Sequence, residues 1–360
     1  MKFALIGCGR IAASHLKAAL ENQLEIAALC DPNREAIRAL RREFGLEEDS
    51  KIREYADYRQ MLGEIPDLDL AAVTTASGLH AQMTLDCIDA GVHVIVEKPM
   101  TLDLAQADEI IRRSEEAGVW VCACHQNRFN LAVQKMRAAL EEGRFGKLSH
   151  GSVQVRWHRS EDYYRQADWR GSWAKDGGCL MNQCLHGIDL LLWMMGGRAV
   201  EVCGVLANRF HPEIEAEDFG AALVRFEGGA TALIEGTTNV YPDNLEETLS
   251  LFGQRGTAQL GGKSANEIRV WQFADSRPED AGAQGFAEET DSVYGNGHKA
   301  LYGDMAQAIR QHRPPYVDAR AGRAAVELIL AIYKSAKTGR LVELPLGEFS
   351  TREMEGFLPG

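Results

Sequence analysis

The stretch "FALIGCGRIAASHL" (residues 3–16) constrains the chain more than any other. A short apolar run, two glycines and a helix-period segment follow one another in the order that a phosphate-binding βαβ unit requires. Gly7 permits a tight turn, Gly9 lets the backbone approach a pyrophosphate, and Ala12 takes the third position of G-x-G-x-x-G/A, where a small residue allows close helix–strand packing. Arg10 and Ile11 complete the turn, and the helix start beyond them offers N–H groups and a partial positive charge to phosphates. A glycine turn with no ligand satisfies the same pattern, so the motif needs support from the rest of the chain.

The second apolar run, "LEIAALCDP", ends at Asp31, 19 residues beyond Ala12, where a carboxylate accepts ribose hydroxyls and repels a 2′-phosphate. NAD is therefore expected rather than NADP, although Arg34 leaves a phosphate contact open. Strand patterns at 2–7, 24–30, 68–75, 92–96 and 119–124, with a short one near 50–55, alternate with helix patterns near 10–21, 33–43, 79–90 and 103–117. That alternation predicts a doubly wound parallel sheet over residues 1–124, a Rossmann-type dinucleotide-binding domain. Ligands of such sheets lie outside the carboxyl ends of the strands. Besides Gly7 and Asp31, those ends carry Thr75, Ser77 and His80 in "TTASGLH" and Glu97 and Lys98 in "VHVIVEKPMTL". An ammonium at the end of a buried strand is costly unless it faces a polar crevice, so Lys98 is expected to project toward the cofactor. Pro99 disfavours helical geometry at Lys98 and stiffens the turn that aims it.

A chain of 360 residues exceeds what one core organises, and the pattern changes after about residue 125. Residues 125–360 are expected to form an α/β domain with a largely antiparallel open sheet: a helix at 130–142, a strand through "LSHGSVQVRWHR", an apolar helix at 180–195, and strands near 199–207, 218–226, 229–237, 247–253 and 256–260. An acidic surface loop is expected over 274–296, then helices near 297–312 and 320–337.

Within "DGGCLMNQCLHGIDLLLWMMGG", Asn182, His186, Asp189 and Trp193 recur at i, i+4, i+7 and i+11, a polar line beside an apolar face. A lone histidine there would more often be a hydrogen-bonded core residue. With a lysine at a cofactor crevice, His186 becomes a candidate general base, because its ordinary pKa near 6.5 lets it take a proton around neutral pH. The segment 156–170 interleaves Arg156, Arg159, Arg165 and Arg170 with Trp157, Tyr163, Tyr164 and Trp169. Guanidinium forks suit carboxylates and phosphates, and aromatic faces stack on bases or sugar rings. The competing reading is a strand and loop packed at a subunit interface. Arg128 and Asn127, just past the last Rossmann strand, and Tyr241 and Asn244 in "YPDN" are further substrate-side candidates.

The formal charge of −13 argues against nucleic acid as a general partner. No apolar run reaches the ~18 residues of a spanning helix, and the glycines of "MKFALIGCGR" interrupt it too early for a secretory signal, so no membrane partner and a cytoplasmic location are expected. The eight cysteines sit mostly in apolar segments, as buried thiols do. Cys122 and Cys124 form a C-x-C inside a strand pattern with no partner ligands in view, so no metal is expected.

Together, "GCGRIA", "LCDP", "EKPM", "GGCLMNQCLHGIDLL" and the closing "AIYKSAKTGRLVELPL" resemble the Gfo/Idh/MocA family of NAD(P)-dependent oxidoreductases over nearly the whole chain. The resemblance implies that Lys98 and His186 face the reacting carbon of a sugar or cyclitol, that the Lys98–Pro99 peptide is cis, and that the open sheet makes contacts in a homo-oligomer, a dimer or tetramer. Many members carry aspartate where this chain has Asn182, an amide that orients a hydroxyl but cannot act as a base. With "VRWHRSEDYYRQADWRGSW" before it and "NVYPDNLEETLSLFG" after it, this version resembles the subgroup that oxidises the 3-hydroxyl of UDP-N-acetylglucosaminuronic acid in synthesis of bacterial surface polysaccharide. That reading implies a nucleotide-sugar substrate contacted by Asn182, Arg128, Arg156, Arg159, Tyr163, Trp169 and Arg170. The rivals are an inositol or free-sugar dehydrogenase of the same family and a non-catalytic NAD-binding regulator.

Overall fold

The computed structural model describes residues 1–290 and 295–358. The chain divides into two compact units, the first comprising Met1–Thr101, Ala105–Cys124 and His298–Arg323, the second Leu102–Leu104, His125–Gly297 and Ala324–Gly360. The sequence division assigns everything after residue 124 to the second domain. It differs at His298–Arg323, whose residues pack with the first unit: Tyr302 sets its ring edge against Phe3 at 5.8 Å and Arg323 pairs with Asp108. Contacts of this kind, made by residues more than 200 positions apart, leave no trace in local periodicity.

The first unit is a six-stranded parallel sheet in the order β3-β2-β1-β4-β5-β6. Its strands are β1 (Lys2–Ile6), β2 (Glu25–Cys30), β3 (Arg53–Tyr55), β4 (Leu70–Val73), β5 (His93–Val96) and β6 (Val121–Ala123). Helices α1 (Ala12–Glu21), α2 (Arg34–Glu43), α3 (Tyr58–Glu64), α4 (His80–Asp89) and α5 (Leu104–Ala117) alternate with them. β4 and β5 are buried throughout but for His93, as strands covered on both faces must be. The strand order reverses between β1 and β4, which places a crevice where Gly7 meets Thr74. α3, absent from the sequence reading, is short and begins at Asp57, whose side chain accepts from the Arg59 N–H.

In the second unit α6 (Leu131–Glu141) precedes β7 (Leu148–Arg156), and α7 (Glu161–Arg165), α8 (Cys179–Asn182) and α9 (Leu185–Met195) follow it. β8 (Ala199–Ala207), β9 (Phe219–Phe226), β10 (Thr231–Thr237), β11 (Glu246–Gly253), β12 (Gly256–Gly261), β13 (Glu267–Phe273) and β14 (Val342–Glu343) complete an eight-stranded sheet of order β13-β12-β11-β7-β10-β9-β8-β14. Only β7 and β10 pair in parallel. α10 (Gly297–Gln311) and α11 (Ala319–Thr338) close the chain. β13 is an addition to the sequence reading, and residues 291–294 of the predicted acidic loop lie outside the described residues.

α9 lies close on the sheet because glycines remove two side chains from the contact. A Cβ at Gly151 would sit 2.8 Å from Met195 Sδ, and one at Gly187 would sit 2.8 Å from Val153 Cγ2. The helix ends at Gly196, which takes the left-handed conformation (φ 68°) common after a last helical turn. Val153 and Val155 point to α9, while Gln154 and Arg156 alternate to the opposite face. On that other face Leu223 and Leu233 lie directly opposite each other in β9 and β10, each about half exposed (52% and 51%).

Candidate active site

At the end of β1, Gly7 has φ +98°, and a Cβ there would lie 2.8 Å from the Thr74 carbonyl oxygen, so no other residue fits without shifting the β1–β4 crevice. At Gly9 a Cβ would meet nothing within 4 Å, leaving the backbone open to a ligand. α1 begins without a side-chain cap; its Ala12 N–H bonds the Gly9 carbonyl at 3.1 Å and its Ser14 N–H the Ile11 carbonyl at 3.0 Å, and the partial positive charge of the helix start faces the glycine turn. Asp31 holds this turn in place: its Oδ2 accepts from the Cys8 N–H at 2.8 Å and its Oδ1 from the Asn33 N–H at 2.7 Å. Each oxygen keeps a lone pair, and the side chain stays partly exposed, as a ribose acceptor requires. These residues fit a bound dinucleotide. Arg10 is exposed beside the turn, and Ile11 is half-buried.

At the end of β5, Lys98 is half-buried and its peptide to Pro99 is cis. Glu97 and His80, both expected against the cofactor, turn inward instead. Glu97 is 6% exposed; its Oε1 bonds His15 Nε2 at 2.9 Å and its Oε2 accepts from the Lys98 N–H at 3.0 Å. Burial alone would raise this carboxyl, but the His15 hydrogen bond and the charges around it hold it well below the carboxylate range. His80 is 1% exposed, with Nδ1 2.7 Å from the Pro99 carbonyl and Nε2 3.0 Å from that of Thr75. Burial pushes its pKa down while the two carbonyls oppose that shift, and the ring braces the ends of β4 and β5. Both residues shape the turn that presents Lys98. Ser77 is buried at the start of a 3₁₀ turn, and the Thr75 hydroxyl reaches Met83 Sδ at 3.5 Å.

In the second unit the polar line is carried by two helices. α8 stops at Asn182, and the Cys184 N–H reaches back to the Cys179 carbonyl (2.9 Å), an i−5 bond, before α9 starts at Leu185. His186, Asp189 and Trp193 share one side of α9 facing the 3₁₀ turn Gln126–Phe129. His186 is 6% exposed and its Nε2 lies 3.3 Å from the Gln126 side-chain nitrogen. Asn182, half-buried, donates to Asp176, which in turn accepts from the Gly171 N–H at 2.9 Å.

Two predicted substrate arginines are engaged elsewhere. Arg128 makes a bidentate buried pair with Asp189 (2.7 and 2.6 Å) under the Trp193 ring at 5.0 Å, so it holds α9 against the turn. Arg156, by strand alternation, leaves the α9 face and pairs with Glu235 and Glu246 at 2.7 and 3.0 Å. Arg165 pairs with Glu161 and Asp162 on its own helix.

The remaining candidates form one group. Arg159 lies over the rings of Trp157 (5.0 Å) and Tyr163 (5.1 Å), and Arg170 over those of Tyr163 (4.2 Å) and Trp169 (5.6 Å). Gln183 donates to the Tyr163 hydroxyl at 3.3 Å, which ties the group to the end of α8 beside Asn182. Asn244 accepts from Arg159 at 3.1 Å, whereas Tyr241 is 89% exposed. The Nε–H groups of Arg159 and Arg170 are buried with no hydrogen-bond partner. Residues outside the sequence reading are Gln126, Asp176, Gln183 and, under α9, Glu247, whose two carboxyl oxygens are buried with no partner.

A parallel 3-2-1-4-5-6 sheet with a glycine turn at its switch point and a carboxylate closing β2 defines a dinucleotide-binding protein of the nicotinamide-dependent oxidoreductase class. Residues 1–125 match the family described as the oxidoreductase family with an NAD-binding Rossmann fold, and residues 133–259 match the GFO/IDH/MocA C-terminal domain. The chain belongs to the Gfo/Idh/MocA family. It is 35% identical to the WlbA dehydrogenase of Bordetella pertussis, solved with NADH and UDP-GlcNAcA (TM-score 0.86, covering 96% of this chain and 99% of that one). It is 34% identical to WlbA of Chromobacterium violaceum, solved with the same two ligands (TM-score 0.87, 96% of each chain). Myo-inositol 2-dehydrogenase of Thermotoga maritima is 24% identical over 351 residues, 96% of this chain and 98% of that relative. The protein is thus an NAD-dependent dehydrogenase of sugar or polyol hydroxyls. Among the described residues no helix is long and apolar enough to cross a membrane.

Proposed function

We propose that the protein oxidises the 3-hydroxyl of UDP-N-acetyl-D-glucosaminuronic acid, a step toward bacterial surface-polysaccharide sugars. The observation that carries this reading is the pair of buried, unpartnered guanidinium N–H groups of Arg159 and Arg170 among Trp157, Tyr163 and Trp169. A neutral cyclitol offers them only hydroxyl oxygens, which are weaker acceptors; a pyrophosphate or uronate carboxylate offers charge-assisted acceptors in a geometry that matches the guanidinium fork, and a uracil or sugar ring matches the aromatic faces. The two WlbA enzymes, solved with UDP-GlcNAcA, support the same substrate class.

Bound NAD supplies the hydride acceptor. His186 takes the hydroxyl proton, Lys98 hydrogen-bonds the same oxygen and stabilises its developing negative charge, and Asn182 orients the sugar. Asp31 selects the 2′-hydroxyl of the adenosine ribose. The chain self-associates through the open sheet face that carries Leu223 and Leu233. Steady-state kinetics of Arg159→Ala and Arg170→Ala test the substrate assignment. Each variant is expected to raise KM for the UDP-sugar by about tenfold or more, in line with a lost charge-assisted hydrogen bond, with KM for NAD unchanged. Unchanged KM for the UDP-sugar in both variants removes the anion-binding role.

A further inference from the structure

Cys124, set aside in the sequence for want of partner ligands, acquires three in the folded first unit. His15 comes from α1, Glu97 from the end of β5, Cys124 from just beyond β6 and His298 from α10, and their ligand atoms all lie within 4.8 Å of one another. All four side chains are buried: His15 and Cys124 are 0% exposed, Glu97 and His298 6%. The hydrogen bond between His15 and Glu97 (2.9 Å) accounts for two members of the group but not for His298, whose Nε2 is buried with no hydrogen-bond partner. A buried imidazole nitrogen in that state is costly unless something satisfies it.

The geometry points to a structural site for one divalent, zinc-like cation held by His15, Glu97, Cys124 and His298. Two imidazoles, a thiolate and a carboxylate are a tetrahedral zinc donor set, and four protein ligands make the site closed rather than catalytic. Zinc bonds of about 2.0–2.3 Å put tetrahedral ligand atoms roughly 3.3–3.8 Å apart, so the wider separations of the group close while the 2.9 Å His15–Glu97 pair opens. The charges balance as well, because the cation, one thiolate and one carboxylate sum to zero, which suits a buried position. A supporting contact is already present: His15 Nδ1 lies 2.7 Å from the Tyr302 hydroxyl, which leaves Nε2 directed at the group. On binding, the Cys124 thiol gives up its proton to solvent, the His15 proton moves from Nε2 to Nδ1, where it is donated to the Tyr302 hydroxyl oxygen, the His15 and Glu97 contact is exchanged for bonds to the metal, and the turn that presents Lys98 is tied to α1, β6 and α10. This inference does not depend on the identity of the sugar substrate.

The test is a titration of tag-free, metal-stripped full-length protein with Zn²⁺ and, separately, with Co²⁺. Expected are one metal bound per chain, a higher thermal midpoint with Zn²⁺, and with Co²⁺ the absorption of a tetrahedral thiolate complex. Cys124→Ser should lose the thiolate-to-cobalt band, and His298→Ala the stoichiometric binding, with the metal-free circular dichroism of both variants unchanged. Wild-type protein that binds no metal, or whose midpoint does not move, overturns the proposal, as does cobalt binding that both variants retain. Variants that do not fold leave the wild-type stoichiometry and midpoint shift to decide.

Discussion

Lys98 stands at a strand end where a charged group is tolerated only with a purpose, and its surroundings make it rigid. Its own N–H bonds Glu97, and His80 braces the Pro99 carbonyl beyond it. On the proposed mechanism, replacing it with alanine removes the group that stabilises charge on the substrate oxygen and leaves untouched the glycine turn and Asp31, the residues proposed to hold the dinucleotide. Lys98→Ala is therefore expected to lower kcat by more than ~10²-fold with the dissociation constant for NAD within a few-fold of wild type, measured by steady-state kinetics and fluorescence titration. Wild-type turnover in that variant excludes the role. The sequence singles out Lys98 and His186 as candidates, since each is a polar group in an otherwise apolar stretch. The partners of His15, His298 and Cys124 are not legible, because they meet only through the tertiary packing of the first unit. Arg156 misleads for a different reason: residue type suggests an anion site, but the period of two along β7 sends it to the opposite face from Val155.

At the scale of elements, α9 and β11 enclose a carboxyl that neither element's pattern explains. Glu247 pairs in register with Val155, shares its face toward α9, and lies so near the backbone that a Cβ on Gly187 would be 3.1 Å from its Oε1. Burial pushes its pKa up to about 8. A carboxyl raised in the folded chain above its unfolded value of about 4.3 favours the fold most at pH below that value. This contribution is lost progressively as pH rises toward about 8. Glu247→Gln, which cannot ionise, should therefore be more stable than wild type at pH 8, with the advantage shrinking to nothing near pH 4 in thermal melts across that range. A variant equally stable, or less stable, at pH 8 contradicts the buried, protonated state. The long parallel-sheet elements were legible because each has a clear period of 3.6 or 2. α3 and β13 were not, being short or mixed in polarity, and the break between α8 and α9 was hidden because Gln183 and Cys184 are ordinary helix residues whose interruption is made by packing. Leu180 and Cys184 crowd Gly236 of β10, where a Cβ would come within 2.5 Å of the Cys184 sulfur.

For the molecule as a whole, the two halves of the proposed reaction are written in separate stretches of sequence, a cofactor half with Gly7, Asp31 and Lys98 and a substrate half with Arg159, Arg170, Asn182 and His186. The family and the redox chemistry follow from the first half and from likeness along the full chain. The proposed sugar rests on the second and on the likeness to the two WlbA enzymes solved with UDP-GlcNAcA. The most direct measurement is NADH formation by the purified wild-type enzyme with UDP-N-acetylglucosaminuronic acid and, in parallel, with myo-inositol and free hexoses. The account predicts a kcat/KM for the UDP-sugar at least ~10²-fold above that for any neutral polyol, the scale on which a site built for charged groups rejects a substrate that leaves them unpaired. A kcat/KM for inositol or a free sugar equal to or above that for the UDP-sugar would contradict it.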